Sequence, residues 1–495
     1  MHHSTSRGGM AVSAIGDWID QAAQRPGEVV YLEDARGPRT LSYAQLAVRA
    51  SAWEHSLDSA GLPPGARVAV CLPDPLGYAE ALIGIVAAGR VAVPLDPAAP
   101  AAELSRVLAV ARPQAAVTAD PGALPPGLRT LAAPPEPGPL ERPGRQKPAG
   151  NTGGIFLCTS GTTGPPKGIL LTEDQLCHTA ASVAACHRLT PADRGYCSLP
   201  LFHVNAEVVG LLATLAAQAR LALDRKFSRT GFWDLIRERD ITWINAVPAI
   251  ITLLASEPPR RAVTSVRFIR SASAPLPAAV LQRFEETAGI PVVETYGMTE
   301  AASMITANPL DGPRKPGSAG RPAGTEVRVR RDGLPCPAGM AGGVQIRGRG
   351  VIAGYAEGGR PGAIDPDGWL DTGDLGHLDE DGYLFLAGRA DDVINRGGEK
   401  IYPREIEEVL LAQPGVRSAV VVGSPDEVLG SRPVAYVVPE GTIADALEGE
   451  LRAACGVSLP KYKQPAAYYL VEEMPLGPTG KVVRRHLAEL AAAPR

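Results

Sequence analysis

The chain has 495 residues, a formal net charge of -4 and 45% hydrophobic residues. This length predicts roughly two to four structural units, and the weak charge gives no reason to expect a nucleic acid or an acidic membrane surface as a partner. The seven cysteines are scattered and form no CxxC pair, which argues against a disulfide framework or a zinc site and favours a reducing cytoplasm.

The termini and apolar runs give no sign of targeting or membrane insertion. The first ten residues are polar and lack the apolar core of a signal peptide. The longest apolar runs, Ala81–Ala88 and Val208–Ala217, are too short to span a bilayer and predict buried helices.

Short β-rich runs alternate with amphipathic stretches. The predicted strands include Arg67–Leu72, Val91–Leu95, Gly154–Thr159 and Val266–Ser271. The predicted helices include Tyr43–Ala60, Asp174–Cys186, Phe232–Arg239 and Ala278–Ala288. This alternation predicts an α/β protein with largely parallel sheets. Between these elements, Asp120–Asn151 is crowded with Pro and Gly and predicts an irregular surface stretch.

The pattern changes near Asp391, after a β-rich run over Val344–Phe385. A compact βα pattern follows, and we therefore expect a large domain over residues 11–390 and a small one over residues 391–495. In the small domain the sequence predicts a helix, two strands and a closing helix after Lys481; the first three lie near Pro403–Ala412, Ser418–Val422 and Pro433–Val438.

A polar, glycine-rich loop follows the predicted strand that ends at Thr159. Glycines let backbone N–H groups turn toward a phosphate, while hydroxyls and a lysine add donors and charge. It is not a Walker A loop, because Pro166 precedes the lysine and Gly168 follows it where Ser or Thr would bind Mg²⁺. The phosphate-binding candidates are Thr159, Ser160, Gly161, Thr162, Thr163, Gly164 and Lys167.

This loop resembles the signature of the adenylate-forming (ANL) superfamily, in its acyl-CoA synthetase or AMP-dependent synthetase and ligase branch. Later motifs match in type and order, so the resemblance covers nearly the whole chain. It implies a large N-terminal AMP-binding domain of parallel α/β sheets with a β-barrel-like subdomain, and a small mobile α+β C-terminal domain. It also implies ATP, Mg²⁺ and a carboxylic acid that is converted to an acyl-AMP.

Two further segments resemble the adenine and metal elements of that family. In Tyr296-Gly297-Met298-Thr299-Glu300, the resemblance places Tyr296 on adenine, Thr299 at the α-phosphate and Glu300 on Mg²⁺. A flat aromatic ring suits a purine, and a carboxylate suits Mg²⁺. Backbone lining of the adenine pocket is implied for Ser273, Ala274 and Pro275.

Three more positions match the family's ribose, hinge and catalytic motifs. Asp374 and Arg389 are similar to its ribose or phosphate ligands, and Asp391 falls on its hinge. Lys481, in Pro478-Thr479-Gly480-Lys481, resembles its catalytic lysine, whose ammonium stabilises charge on the phosphoryl oxygens.

The thiol step is implied by two segments. Gly397 and Gly398 resemble the loop that lines a pantetheine tunnel after the small domain rotates, while His203 lies in a segment similar to the aromatic gate of acyl- and aryl-CoA ligases. Amino-acid-activating relatives carry an Asp near this gate. Because Val204 and Asn205 follow His203 here, an α-amino acid substrate is disfavoured.

Three classes compete: a free-standing acyl-CoA ligase, an adenylation enzyme that loads a carrier-protein phosphopantetheine, and a non-catalytic or luciferase-like relative. No carrier domain follows Lys481, which weakens loading in cis but leaves loading in trans open. The intact catalytic positions count against a non-catalytic relative. We expect a cytoplasmic enzyme whose partners are a small carboxylic acid and CoA or a carrier protein, with neither nucleic acid nor membrane.

The stretch Met298–Gly320 is similar to the branch that contains oxalate-CoA ligases. Those members usually carry a His shortly after the Thr-Glu-Ala tripeptide, where this chain has Ala302, Ser303 and Met304. The sequence therefore disfavours a very small dicarboxylate and favours a mostly apolar acid.

Overall fold

The computed structural model describes residues 14–134, 152–159, 167–441, 446–475 and 482–492. Within these ranges every helix is too short or too polar to traverse a bilayer. All seven cysteines lie inside them, and all are free thiols.

Helices and strands alternate from the start of the described chain. The elements up to the second described range are α1 (Ala14–Ala23), β1 (Val30–Asp34), β2 (Thr40–Ser42), α2 (Tyr43–Ser59), β3 (Arg67–Cys71), α3 (Pro75–Ala87), β4 (Val91–Pro94), α4 (Ala101–Ala111), β5 (Ala115–Thr118), a 3-10 turn (Pro121–Ala123), β6 (Thr130–Leu131) and β7 (Gly154–Thr159). The stretch predicted to be irregular thus contains a short strand, β6, and its residues 135–151 lie outside the description.

The alternation continues through the middle of the chain. Its elements are β8 (Lys167–Thr172), α5 (Glu173–Cys186), β9 (Arg194–Cys197), a π-helix (Asn205–Leu212), α6 (Ala213–Ala216), β10 (Arg220–Leu223), α7 (Phe232–Glu238), β11 (Trp243–Ala246), α8 (Pro248–Ser256), β12 (Phe268–Ser271), α9 (Ala278–Ala288), β13 (Val292–Met298), a 3-10 turn (Thr299–Ala301) and β14 (Ser303–Ala307). The apolar run at Val208–Ala217 is buried as predicted except for the half-buried Ala216 and Ala217, but it divides between the π-helix and α6.

The last third is first β-rich and then mixed. Its elements are β15 (Arg321–Pro322), β16 (Glu326–Arg331), β17 (Leu334–Pro335), β18 (Gly342–Arg347), β19 (Leu370–Leu378), β20 (Leu384–Arg389), a 3-10 turn (Ala390–Asp392), β21 (Ile394–Arg396), β22 (Glu399–Ile401), α10 (Pro403–Leu411), β23 (Val416–Asp426), β24 (Gly430–Pro439), α11 (Leu447–Ser458), a 3-10 turn (Lys461–Lys463), β25 (Ala467–Leu470) and α12 (Arg484–Ala492).

The strands form four sheets. A nine-stranded sheet has the order β15-β14-β13-β12-β11-β9-β10-β1-β2, and a six-stranded sheet has the order β6-β5-β3-β4-β7-β8. Their inner strands run parallel, and antiparallel pairs lie toward the edges. The third sheet, β17-β16-β18-β19-β20, is antiparallel, and the fourth joins β22-β21-β24-β23 with β25. The α/β class predicted from the sequence is confirmed.

Local sequence explains where the helices begin. Ser42 and Gln45 form a capping box at the start of α2, and Thr172 and Gln175 form one at α5. The inner strands β3, β4 and β5 are buried almost throughout, as parallel strands covered by helices on both faces must be. Because the inner strands run parallel, their carboxyl ends lie at the same edge of each sheet.

Candidate active site

Four neighbouring parallel strands end at the same edge of the large sheet. β9, β11, β12 and β13 pair in that order, and ligands in open α/β sheets bind at such carboxyl ends. Ser273 follows β12, Tyr296 lies near the end of β13, and His203 lies after β9. The topology therefore brings three predicted site segments to one edge.

Tyr296, Asp374 and Arg389 meet although they lie far apart in the sequence. The Tyr296 hydroxyl donates to Asp374 Oδ2 at 2.5 Å, and Arg389 Nη1 donates to Asp374 Oδ1 at 3.1 Å. Burial and the nearby Asp374 carboxylate hold the pKa of Tyr296 well above its usual value, so the phenol remains a neutral donor. This cluster offers an aromatic ring, a carboxylate and a cation together.

A glycine in this cluster permits the contact with Arg389. Gly373 has φ +75, and a Cβ there would lie 2.9 Å from Arg389 Nη2. Burial disfavours the charge of Arg389, but Asp374 outweighs it and raises the pKa of that guanidinium above its usual value. The guanidinium therefore stays charged beside the carboxylate.

Glu300 lies beside two groups from other segments. It is buried, and its Oε1 accepts a hydrogen bond from the Tyr355 hydroxyl at 3.0 Å. The ammonium of Lys167 lies 5.4 Å from the centroid of the Tyr355 ring. Tyr355 thus links the end of the glycine-rich loop to the carboxylate expected to hold Mg²⁺.

The backbone around Glu300 is tightly constrained. A Cβ on Gly297 would lie 1.5 Å from the Ser303 carbonyl oxygen, so only glycine is compatible with this approach. Ala302 and Ser303 have φ of +50 and +100, a region that non-glycine residues rarely occupy. Backbone strain of this kind is common at binding sites. Here it lies in the turn that directly follows Thr299 and Glu300.

The glycine-rich loop is described only at its two ends. Thr159 ends β7 and Lys167 begins β8, while Ser160, Gly161, Thr162, Thr163 and Gly164 lie outside the described residues. Gly168 exchanges backbone hydrogen bonds with the 356–357 segment, and a Cβ there would lie 2.6 Å from the Phe156 ring. The end of the loop is therefore held against the Tyr355 segment.

A polar network extends inward from the segment around His203 that resembles an aromatic gate. Ser273 is exposed, with φ +75, and its Oγ accepts a hydrogen bond from Asn205 Nδ2 at 3.2 Å. Asn205 Oδ1 accepts from Arg270 Nη1 at 2.8 Å and from Asn245 Nδ2 at 3.2 Å. The rings of His203 and Phe202 lie 4.6 Å apart at the head of this segment. Of the remaining adenine-pocket candidates, Ala274 and Pro275 are exposed and Met298 is half-buried.

The small C-terminal sheet carries the remaining candidates. Asp391 is exposed in the 3-10 turn after β20, and Gly397 and Gly398 form the turn between β21 and β22. The hydrogen bonds of that turn go to Leu429, in the turn between β23 and β24, and to Asn395 of β21. Lys481 lies outside the described residues.

An arginine after Lys481 ties its helix to the rest of the small domain. Arg484, at the start of α12, contacts Asp392 at 3.6 Å and Glu407 of α10 at 2.8 Å. It also donates to the Val421 carbonyl at 2.9 Å. These contacts anchor the chain on one side of the predicted catalytic lysine.

Tyr355 and Arg270 are not among the predicted site residues, and no binding role is predicted for Asn205. Tyr355 belongs to no recognised motif, and the glycines around it, Gly354, Gly358 and Gly359, indicate no more than a turn. Arg270 interrupts the apolar run of a buried strand; a charge at such a position is the signal that deserved notice.

The comparisons assign the chain to a family. The AMP-binding enzyme family matches residues 18–356, and the AMP-binding enzyme C-terminal domain matches residues 405–481. The chain therefore belongs to the AMP-binding enzyme family.

Named relatives extend this result. The chain is 40% identical to the sulfoacetate–CoA ligase of Cupriavidus necator, over 94% of this chain and 96% of that protein. It is 40% identical to the oxalate–CoA ligase of Arabidopsis thaliana, over 68% of this chain and 67% of that protein. Together with the family match, these relatives identify the chain as an ATP-dependent acyl-CoA ligase.

A solved structure is similar over nearly the full length. The o-succinylbenzoate CoA synthetase of Bacillus subtilis, in complex with its acyl-adenylate, superposes with a TM-score of 0.84 and 29% identity, covering 95% of this chain and 97% of that one. The same enzyme is known with ATP and magnesium ion at the same score. The fold is thus that of the adenylate-forming enzymes, and the reaction uses ATP, Mg²⁺ and CoA.

Proposed function

We propose that the chain converts a carboxylic acid to an acyl-AMP with release of pyrophosphate, and then transfers the acyl group to CoA. The convergence of Tyr296, Asp374 and Arg389 supports this proposal most strongly. It joins an aromatic ring to a carboxylate and a cation, as a nucleoside monophosphate requires. The sequence between these residues gives no local reason for them to meet.

Each nucleotide residue has a role in this proposal. Tyr296 packs on adenine, whose pocket is completed by the backbone of Ser273–Pro275 and of Gly297 and Met298. Asp374 accepts hydrogen bonds from the ribose hydroxyls, and Arg389 orients that carboxylate or contacts phosphate. The phosphates are bound by the loop residues Thr159, Ser160, Gly161, Thr162, Thr163, Gly164 and Lys167.

The residues around Glu300 are suited to Mg²⁺. One carboxylate oxygen accepts from Tyr355, and a single protein carboxylate with phosphate oxygens and waters is the usual environment of this ion. An Mg²⁺ ion held there would neutralise charge on the ATP phosphates. Tyr355 orients Glu300, and Thr299 donates to the α-phosphate.

The two half-reactions use different surfaces of the small domain, residues 391–495. Lys481 stabilises the phosphoryl transfer while the large domain, residues 11–390, holds ATP and the acid. Rotation about Asp391 then brings Gly397 and Gly398 to the pantetheine chain. His203 separates the acid pocket from the thiol tunnel.

The identity of the acyl acceptor is tested by comparing two thiols. Purified chain is incubated with ATP, Mg²⁺ and a panel of acids, with either CoA or a phosphopantetheinylated carrier protein, and the products are identified by mass spectrometry. We expect acyl-CoA and AMP in equal amounts, and no acyl-carrier. Acyl transfer to the carrier alone would overturn the proposal in favour of loading in trans.

We further propose a cytoplasmic location, where CoA is available and the seven cysteines stay reduced.

A further inference from the structure

Arg270 is a buried cation without an anionic partner in the described part of the chain. Its side chain is among the largest that are fully buried. Nη1 donates to two neutral amides, Asn205 Oδ1 at 2.8 Å and Asn245 Oδ1 at 3.2 Å, and Nε has no hydrogen-bond partner. Burial lowers the pKa of Arg270 to about 9, so the guanidinium is still charged at neutral pH.

The buried carboxyl of Glu207 does not supply the missing charge. Glu207 lies two residues after Asn205, and both of its oxygens are buried without a partner. Burial raises the pKa of Glu207 well above the usual value, which favours its uncharged form. Burial and, to a smaller extent, the charge of Arg270 lower the pKa of the nearby His187 to about 3, so its imidazole is neutral. A net positive charge therefore remains at Arg270, where an unpaired charge is costly.

The network leads from this charge to the edge where substrates bind. Arg270 and Asn245 are register partners near the carboxyl ends of β12 and β11. Asn205 joins them to the exposed Ser273, and it follows the gate residue His203 by two positions. Ser273 is thus the exposed end of a hydrogen-bonded chain that runs through the buried Asn205 to Arg270.

We infer that the acid substrate carries a second anionic group, a carboxylate or sulfonate on a short chain, which is bound by the Ser273–Asn205–Arg270 network. This inference rests on the proposed function and specifies the class of acid that the enzyme activates. It replaces the mostly apolar acid favoured by the sequence alone. The second anion supplies the counter-charge that Arg270 lacks, and an acid without it leaves a buried cation unpaired.

The wild-type enzyme tests the inference with matched pairs of acids. Each pair joins a dianion to a monoanionic analogue, the neutral member, whose second group is uncharged: sulfoacetate with methylsulfonylacetate, malonate with malonamate, and succinate with succinamate. ATP–pyrophosphate exchange reports adenylation without any thiol. In at least one pair we expect kcat/KM to favour the dianion by at least about 100-fold, since sites built for a polar group reject analogues that lack it. Equal or better exchange with every neutral member, or no exchange with any dianion, would overturn the inference.

Two substitutions test the role of the residue itself. Arg270→Gln should lower kcat/KM for the preferred dianion by about 100-fold and change that for its neutral analogue by less than about threefold. Arg270→Lys should recover part of the selectivity. The matched control is Arg267→Gln, which removes a cation just before β12 that pairs with Asp193 instead. Parallel loss with both members of the pair would assign Arg270 a purely structural role.

The exchange assay also separates this inference from the proposed function. Selective exchange with dianions but no acyl-CoA would uphold the inference and contradict the choice of CoA. Preferential formation of acyl-CoA from acids that lack the second anionic group would uphold the function and contradict the inference.

Discussion

Asp374 accepts a hydrogen bond from the Tyr296 hydroxyl at 2.5 Å across a separation of 78 residues. The contact joins the end of a parallel strand in the large sheet to a strand of the antiparallel sheet. It therefore fixes the relative position of an aromatic ring and a carboxylate that no local sequence rule brings together.

Asp374→Asn is expected to weaken ATP binding. A neutral amide is a poorer acceptor for ribose hydroxyls and a weaker partner for Arg389, so the KM for ATP should rise roughly 10- to 100-fold. Steady-state pyrophosphate release measures this. The matched control is Asp371→Asn in the same strand, whose carboxylate pairs with Arg360. Equal effects of the two substitutions would remove Asp374 from the nucleotide site.

Glu300→Gln is expected to raise the Mg²⁺ concentration needed for half-maximal adenylation and to lower the rate, because an amide is a poorer ligand for this ion. Tyr355→Phe, which frees one Glu300 oxygen, should give a smaller shift in the same direction. Titration of Mg²⁺ at fixed ATP measures both. Glu357→Gln, at a half-buried carboxylate that lies 3.8 Å from Arg112, is the control, and an unchanged titration for Glu300→Gln would exclude the metal role.

Lys481→Ala is expected to abolish acyl-AMP formation but to leave transfer from preformed acyl-AMP to CoA intact. The ammonium is needed only while charge develops on the α-phosphate. Exchange assays measure the first step, and acyl-CoA formation from synthetic acyl-AMP measures the second. Lys461→Ala, at an exposed lysine of the same domain, should change neither. Normal exchange in Lys481→Ala would refute the assignment.

Asp391→Pro is expected to separate the two half-reactions. Proline fixes φ at about -65°, so one orientation of the small domain should be locked. One half-reaction should survive and the other should be lost in single-turnover assays, whereas Asp391→Ala should retain both. The hinge assignment fails if a folded Asp391→Pro protein loses both rates equally or neither.

Glu294→Gln is expected to make stability less sensitive to pH. Burial raises the pKa of Glu294 from 4.5 to about 7. Between these values the folded state holds a proton that the unfolded state has lost, so wild-type stability falls as pH rises through this window. The substitution removes up to about 3 kcal/mol of that loss. Denaturant unfolding at pH 5 and pH 8 measures it, with exposed Glu286→Gln as control; a constant difference across pH would contradict the account.

Local periodicity was sufficient to predict much of the fold. The limits of Gly154–Thr159 and Ala278–Ala288 agree with the structure, and the helix predicted at Tyr43–Ala60 differs by one residue. The division of the run after His203 into a π-helix and α6 was not predictable, since both helix types present a similar apolar pattern over eight residues.

The site was predictable where a motif carried it and hidden where tertiary contacts create it. Tyr296 and Glu300 came from one motif, but Tyr355 reaches Glu300 from 55 residues away. Arg270 is significant only because its neighbours are neutral amides from two other segments. Such relationships depend on strand order and register, which residue periodicity does not encode.

Isotope transfer tests the central claim most directly, namely that the acid attacks the α-phosphate of ATP before the thiol reacts. The acid, labelled with ¹⁸O in the reacting carboxylate, is converted to acyl-CoA in one turnover, and the nucleotide and phosphate products are analysed by mass spectrometry. The account predicts one ¹⁸O atom in AMP and none in pyrophosphate. Label in inorganic phosphate, accompanied by ADP, would contradict it.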